Sequence, residues 1–163
     1  MARTKHVALS QIRWMIRRDL DEVLQIDALC FVEPWTKEVI LTNLRQRNCI
    51  GMVIENGEDL LGFVVYELHK NRLNILRFCV HPDHRLRGIG RQMFDKLVVK
   101  LHQQRRRALT ALVNEQELDA QKFFRALGFR VRAIERGTFG ENDGYRFEWH
   151  LPQEALASED DER

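Results

Sequence analysis

The sequence predicts an α/β protein, a single domain built on a mixed, mostly antiparallel sheet of about seven strands flanked by helices. Three observations lead there. Strand-like runs at 49–55, 60–68 and 73–80 follow one another with only Asn56-Gly57 and His69-Lys70-Asn71 between them, the spacing of an antiparallel meander. The third run passes through a short turn into a helical period, with Met93, Phe94, Leu97, Val98 and Leu101 on one face. Another strand-like run, 108–113, follows, and a helical crossover of that kind joins parallel neighbours. A further helix from Asp119, carrying Ala120, Phe123, Phe124 and Leu127 and closed by Gly128, leads to a last pair of strands, 129–135 and 145–151. The 163 residues suffice for one such domain with a real core.

The elements before the meander are read from local chemistry. Ile12, Trp14 and Ile16 alternate, which predicts a strand with one buried face. Asp19-x-x-Glu22 has the pattern of a capping box, and Val23, Leu24, Ile26, Asp27 and Leu29 carry a first helix. Pro34 ends any helix in the aromatic segment Cys30-Phe31-Val32-Glu33-Pro34-Trp35, and Thr36 caps a second helix with Val39, Ile40 and Leu44. Aromatics around a proline between helices form either a satellite core cluster or a binding lip; chemistry alone favours the core. Between the last two strands, 137–144 reads as a long glycine-bearing loop.

Composition narrows the function classes. The apolar fraction is 44% with only three prolines, as in a soluble globular chain. No apolar run approaches the ~20 residues of a membrane span, and the basic Met1–His6 segment has no apolar stretch behind it, so neither an anchor nor a signal peptide is read. Cys30, Cys49 and Cys79 are odd in number and share no metal-like spacing. They read as small core hydrophobes in a reduced compartment, the cytoplasm. The six histidines show no paired ligand spacing, so no metal is expected. The net charge of +2 is uneven: beyond residue 152 five acids oppose Arg163 alone, leaving 25 bases and 19 acids elsewhere. Residues 153–163 are read as an acidic, disordered tail and 1–152 as the domain. The basic triplet Arg105-Arg106-Arg107 suits the negative end of a helix dipole, and without interleaved aromatics it is no nucleic-acid patch.

The most specific stretch is Cys79-Val80-His81-Pro82-Asp83-His84-Arg85-Leu86-Arg87-Gly88-Ile89-Gly90-Arg91. Strand, glycine turn and helix start expose backbone N–H groups to an anion, and the dipole and three arginines add positive charge. Gly88 and Gly90 let a phosphate come close to the backbone. Neither G-x-x-x-x-G-K-[ST] nor G-x-G-x-x-G is present. What is present, Arg85-x-x-Gly88-x-Gly90 after a strand ending Val-His-Pro, resembles the acetyl-coenzyme A signature of the GCN5-related N-acetyltransferase (GNAT) family.

The resemblance runs from about Ile12 to Pro152 in element order. It is closest to the ribosomal-protein-alanine N-acetyltransferase group through Phe31…Pro34-Trp35-Thr36, the helix Ala120–Phe129 and the Gly137-Thr138-Phe139 region. It implies an acetyl-CoA cosubstrate held by Phe78, Cys79 and Val80 along the strand and by Arg85, Leu86, Arg87, Gly88, Ile89, Gly90 and Arg91 in the turn. Glu117 and Phe124 stand at further cofactor positions. The resemblance also implies an acceptor site shaped by Phe31, Pro34, Trp35, Thr138 and Phe139, for a protein or peptide N-terminus such as that of a ribosomal protein.

The sequence departs from the family where acid–base chemistry is expected. The usual general base falls at Leu112, the asparagine opening the next helix at Glu117, and the tyrosine that protonates the thiolate at Phe124. Glu33, Glu67 with His69, and Tyr145 are the replacement candidates, each with a bland structural reading beside it. A free α-amine of pKa ~8 needs only roughly 1.4 kcal/mol to reach its neutral form near neutrality, against roughly 4–5 kcal/mol for a lysine of pKa ~10.4. A weakly equipped site therefore fits an N-terminus better than a lysine, with positioning and a backbone N–H on the oxyanion supplying the acceleration; the family resemblance implies that this N–H lies near Cys79 or Val80. The alternatives are transfer to a lysine or small-molecule amine, or a coenzyme A-binding module weakened in catalysis.

Overall fold

The computed structural model describes residues 10–152. Its element order is β1 (Gln11–Trp14), α1 (Leu20–Cys30), α2 (Lys37–Leu44), β2 (Cys49–Asn56), β3 (Asp59–Leu68), β4 (Arg72–Val80), α3 (Ile89–Gln103), β5 (Ala108–Asn114), α4 (Leu118–Ala126), β6 (Arg130–Phe139) and β7 (Asn142–His150). The seven strands form one mixed sheet in the order β1-β2-β3-β4-β5-β7-β6, flanked by helices, as the sequence predicts. The parallel pair is β4 with β5, Arg72↔Ala108 to Ile75↔Ala111, across the α3 crossover. The acidic tail lies outside the described residues.

The chain divides into two compact units, Met1–Val65 with Arg77–Met93 and Tyr66–Leu76 with Phe94–Arg163. In the first, β1 runs antiparallel to β2 from Gln11↔Glu55 to Trp14↔Met52. Leu20, Val23 and Ile26 from α1, Ile40 from α2, and Met52, Val53, Ile54, Phe63, Val64 and Val65 from the strands are buried. Thr36 caps α2, its hydroxyl accepting from the Val39 N–H at 3.2 Å. In the second unit β5 pairs with β7 from Ala108↔His150 to Asn114↔Gly144. An edge-to-face aromatic cluster of Phe94, Phe124, Phe129 and Trp149 packs beside Phe147.

Four local expectations need correction. Trp14 is 68% exposed and Ile16 46%, so the alternation from Ile12 gives no buried face: β1 is a four-residue edge strand, covered by a partner on one edge only. Asp19 and Glu22 form no capping box. Asp19 reaches backward to the Ile16 N–H at 2.8 Å and accepts from both Arg13 Nη nitrogens, while Glu22 accepts from the Leu60 N–H. Ion pairing and a bare strand donor compete successfully for the two carboxylates. The expected loop 137–144 is mostly strand: β6 runs on to Phe139, β7 begins at Asn142, and Phe139 pairs with Asn142 across a tight tip. Gly137 lies in the register shift between Glu135 and Phe139 and Gly140 in the tip, both with left-handed backbone, and the Asp143 carboxylate accepts from the Gly137 N–H. Finally, Cys30 and Cys79 are not separate reduced thiols but joined in a disulfide, and Cys49 is buried outside it.

Candidate active site at the end of the central strand

The site is built on the C-terminal end of β4. The β3–β4 hairpin matches His69 to Arg72, donating at 3.0 Å, and that register would bring Leu61 opposite Val80. Instead the Leu61 carbonyl accepts from the His81 N–H at 2.7 Å, so β4 carries one residue more than β3: a β-bulge. Gly62 marks the place. A Cβ on it would meet the Cys79 carbonyl oxygen at 2.6 Å and the Val80 Cα at 3.2 Å, so only glycine lets the bulge lie this close. The residues expected to hold the thioester arm, Phe78, Cys79 and Val80, thus sit on irregular backbone, with their side chains buried.

Beyond the bulge the chain winds through one 3-10 turn, Pro82–His84. The His81 ring nitrogen accepts from the Asp83 N–H, and the His84 N–H donates to the His81 carbonyl. Arg85, Leu86, Arg87 and Gly88 then run exposed into α3, with left-handed backbone at Leu86 (φ 64°) and Gly88 (φ 78°). Leu86 accepts that conformation despite its side chain, which stands wholly in solvent. Nothing lies within 4 Å of where a Gly88 Cβ would be, so the turn faces open space. The first intrahelical bond runs from the Gln92 N–H to the Gly88 carbonyl, and the N–H groups of the first turn point out of the helix end. An open, cationic, left-handed turn at the start of a 15-residue helix fits a diphosphate. The Arg85 Nε donates to the Val80 carbonyl at 3.4 Å, and its Nη2 lies 3.6 Å from the Cys30 sulfur, tying the turn to the strand end.

The aromatic segment after α1 stands beside the same strand. Neither core nor bare lip describes Phe31 and Trp35: both are half-buried, and the Arg77 guanidinium lies 3.6 Å over the Phe31 ring and 5.0 Å from the Trp35 ring. Pro34 and Glu33 are exposed. Asp27, 1% exposed on α1, accepts from the Arg77 Nε at 2.8 Å and from the Trp35 N–H at 2.7 Å. Asp27, Arg77 and Gly62 are the site residues that sequence reasoning missed. An acid at position 27, on the face that buries Val23 and Ile26, was the available signal for the first; Arg77 inside an apolar strand was the signal for the second.

The remaining expected residues lie in the second unit. Leu112 is on β5, with its side chain against Gly144. Phe124 is buried in the aromatic cluster, and Glu117 occupies the N-cap of α4 without a side-chain cap bond. Glu67 accepts from the Asn74 amide at 2.9 Å, which in turn accepts from the Thr110 hydroxyl, and His69 lies 3.5 Å from the same carboxylate. Tyr145 is half-buried on β7 opposite Val113. Thr138 and Phe139 end β6, where the Thr138 hydroxyl donates to the Glu135 carbonyl.

A profile of the acetyltransferase (GNAT) family matches residues 20–129. The chain belongs to that family. It is an acetyl-CoA-dependent N-acetyltransferase, and the cationic turn and bulged strand fall within the matched region. Among curated proteins it is 22% identical over 126 residues to the [ribosomal protein bS18]-alanine N-acetyltransferase of Escherichia coli strain K12, covering 77% of this chain and 84% of that one. It is 24% identical over 132 residues to the putative enzyme of the same name from Bacillus subtilis strain 168, covering 80% and 87%. Among solved structures, Ard1 from Thermoplasma volcanium superposes with a TM-score of 0.78 at 21% identity over 88% of this chain and 98% of that chain. Among the described residues no cluster of His, Cys, Asp and Glu has the makings of a metal site, and no helix is long and apolar enough to cross a membrane.

Proposed function

We propose that this acetyltransferase moves acetyl from acetyl-CoA to the α-amine of a protein or peptide N-terminus, a ribosomal protein among the candidates, by direct attack in a ternary complex. The observation that carries the cosubstrate half is the open left-handed turn at Gly88, whose amides and flanking Arg85, Arg87 and Arg91 suit the diphosphate of coenzyme A. Phe78, Cys79 and Val80 would run along the pantetheine arm, and an N–H of Cys79 or Val80 would meet the developing oxyanion. Ile89 and Gly90 complete the turn, with Glu117 and Phe124 as further cofactor positions.

The acceptor half rests on the aromatic segment Phe31, Pro34 and Trp35, with Thr138 and Phe139, and on the names of the two curated relatives. An α-amine needs little help to lose its proton, which suits a chain with Leu112 and Phe124 at the usual acid–base positions. Among the replacement bases, Glu33 belongs to the acceptor segment and is exposed, whereas the Glu67 carboxylate is already engaged by Asn74 and His69. We therefore assign any assisting carboxylate to Glu33. Such a substrate implies the cytoplasm as the working compartment.

Thiol release from acetyl-CoA across a panel of N-terminal peptides, lysine peptides blocked at the α-amine, and small amines tests this reading. Turnover is expected with the free N-terminus, rising with pH toward ~8 as the amine deprotonates. Turnover confined to lysine or small amines would overturn the acceptor. Calorimetry showing no affinity of the folded protein for coenzyme A would overturn the turn's role. An unchanged pH–rate profile in Glu33→Gln would remove that carboxylate.

A further inference from the structure

The buried pair Asp27–Arg77 is not needed to hold a diphosphate or to move a proton, yet the structure invests two charges in it. Fifty residues separate the partners, and their side chains are 1% and 15% exposed. Burying such a pair is no gain in stability over apolar residues of the same volume, so its worth lies elsewhere. What a fork-shaped guanidinium supplies is direction. Its Nε donates to Asp27 Oδ1 at 2.8 Å and its Nη2 to Oδ2 at 3.3 Å, and the same Nη2 donates to the Glu33 carbonyl at 2.8 Å. Its plane covers the Phe31 ring and borders that of Trp35. Asp27 Oδ2 takes the Trp35 N–H as well. The segment 31–35 is therefore held at both ends and in the middle by one ion pair. Arg77 itself stands two residues before Cys79 on β4.

We propose that Asp27 and Arg77 are positioning residues that lock the acceptor segment Phe31–Trp35 to the strand end Cys79–Val80, fixing where the amine stands relative to the thioester. The inference rests on the reading of that segment as the acceptor entrance. Neither residue touches a reacting atom. Their contribution falls on acceptor binding and alignment, and the grip on acetyl-CoA is independent of it.

The test compares Arg77→Lys, which keeps the charge and loses the fork and the flat stacking surface, with Asp27→Asn. Three readouts are taken: steady-state kinetics with an N-terminal alanine peptide, calorimetric affinity for coenzyme A, and amide hydrogen exchange of residues 31–36. In Arg77→Lys the peptide KM is expected to rise roughly tenfold or more and kcat to fall less, as expected for a misplaced acceptor. Coenzyme A affinity stays within about twofold, and the Trp35 amide exchanges faster. Unchanged peptide KM and exchange, or an equal loss of coenzyme A affinity, would overturn the proposal. So would loss of the fold in both variants, which would make the pair a stability element. If the parent enzyme acetylates no peptide N-terminus but does turn over another amine, the acceptor reading fails. The clamp is then judged by the KM for that amine and by amide exchange.

Discussion

Replacing Gly62 by alanine probes the bulge more sharply than any change to the strand that contains it. Gly62 has no left-handed backbone, so alanine there suffers no conformational strain; the whole effect is contact. Its Cβ would stand 2.6 Å from the Cys79 carbonyl oxygen, whereas relaxed carbon–oxygen contacts begin at about 3.3 Å, so strand β4 must retreat by roughly 0.7 Å. The obstacle is backbone held by the His81–Leu61 hydrogen bond and cannot swing aside as a side chain would. Overpacking of this kind costs about 1–3 kcal/mol of stability. If the Cys79–Val80 backbone aligns the thioester, a displacement approaching 1 Å also lowers kcat by tens of fold, equivalent to about 2 kcal/mol of barrier. Denaturant unfolding monitored by circular dichroism reads the first number, and single-turnover acetyl transfer at saturating acetyl-CoA reads the second. A Gly62→Ala protein of parental stability and rate would refute the bulge as the feature that shapes the site. Gly57→Ala is the companion control, with nothing within 4 Å and only the φ of 65° to strain it: it loses stability and keeps its rate.

Other outcomes follow from separate parts of the fold. Thiol titration of the unfolded, unreduced protein is expected to count one reactive cysteine, Cys49, and three after reduction. Reducing the Cys30–Cys79 link, which spans 49 residues, removes up to about 4 kcal/mol on the chain-entropy account, read as a lower denaturant midpoint. A count of three before reduction would sink the disulfide. Hydrogen bonding by Arg13 holds the Asp19 carboxyl below the usual carboxylate range, burial opposing and the Ile16 N–H assisting. Its stabilisation is therefore complete above about pH 4 and lost as pH falls further through the depressed value. Asp19→Asn should cost about 2–3 kcal/mol at neutral pH, because Arg13 keeps Glu55, and should flatten the acid limb of the stability curve. Phe124→Tyr, which places a hydroxyl in the cluster of Phe123, Phe129 and Phe147, is expected to lose about 1–3 kcal/mol with no gain in kcat. A faster enzyme would show that the hydroxyl reaches the leaving thiolate.

The elements themselves were legible because what makes them is local. Alternation and helical period are written within a dozen residues, Thr36 caps its own helix, and the turn Arg85–Arg91 announces itself through glycine spacing and charge. The parallel β4–β5 pair followed from the crossover between them. Where competing partners lay a few residues away, local reading failed: Asp19 chose Arg13 and Ile16 over its expected cap, and 137–144 paired across a tight tip rather than looping.

What tertiary structure alone decided are the contacts made across fifty residues. Cys30 has no sequence signal that it meets Cys79, nor Asp27 that it meets Arg77, nor Gly62 that a carbonyl of the next strand crowds it. Each depends on how α1 and β3 are laid against β4, and that arrangement is fixed by burial of apolar faces, which many sequences satisfy alike. The chain's own chemistry therefore determined where the open, cationic glycine turn stands. Packing decided how the segment Phe31–Trp35 is held to the strand, because direction between distant side chains exists only once the backbone has set it.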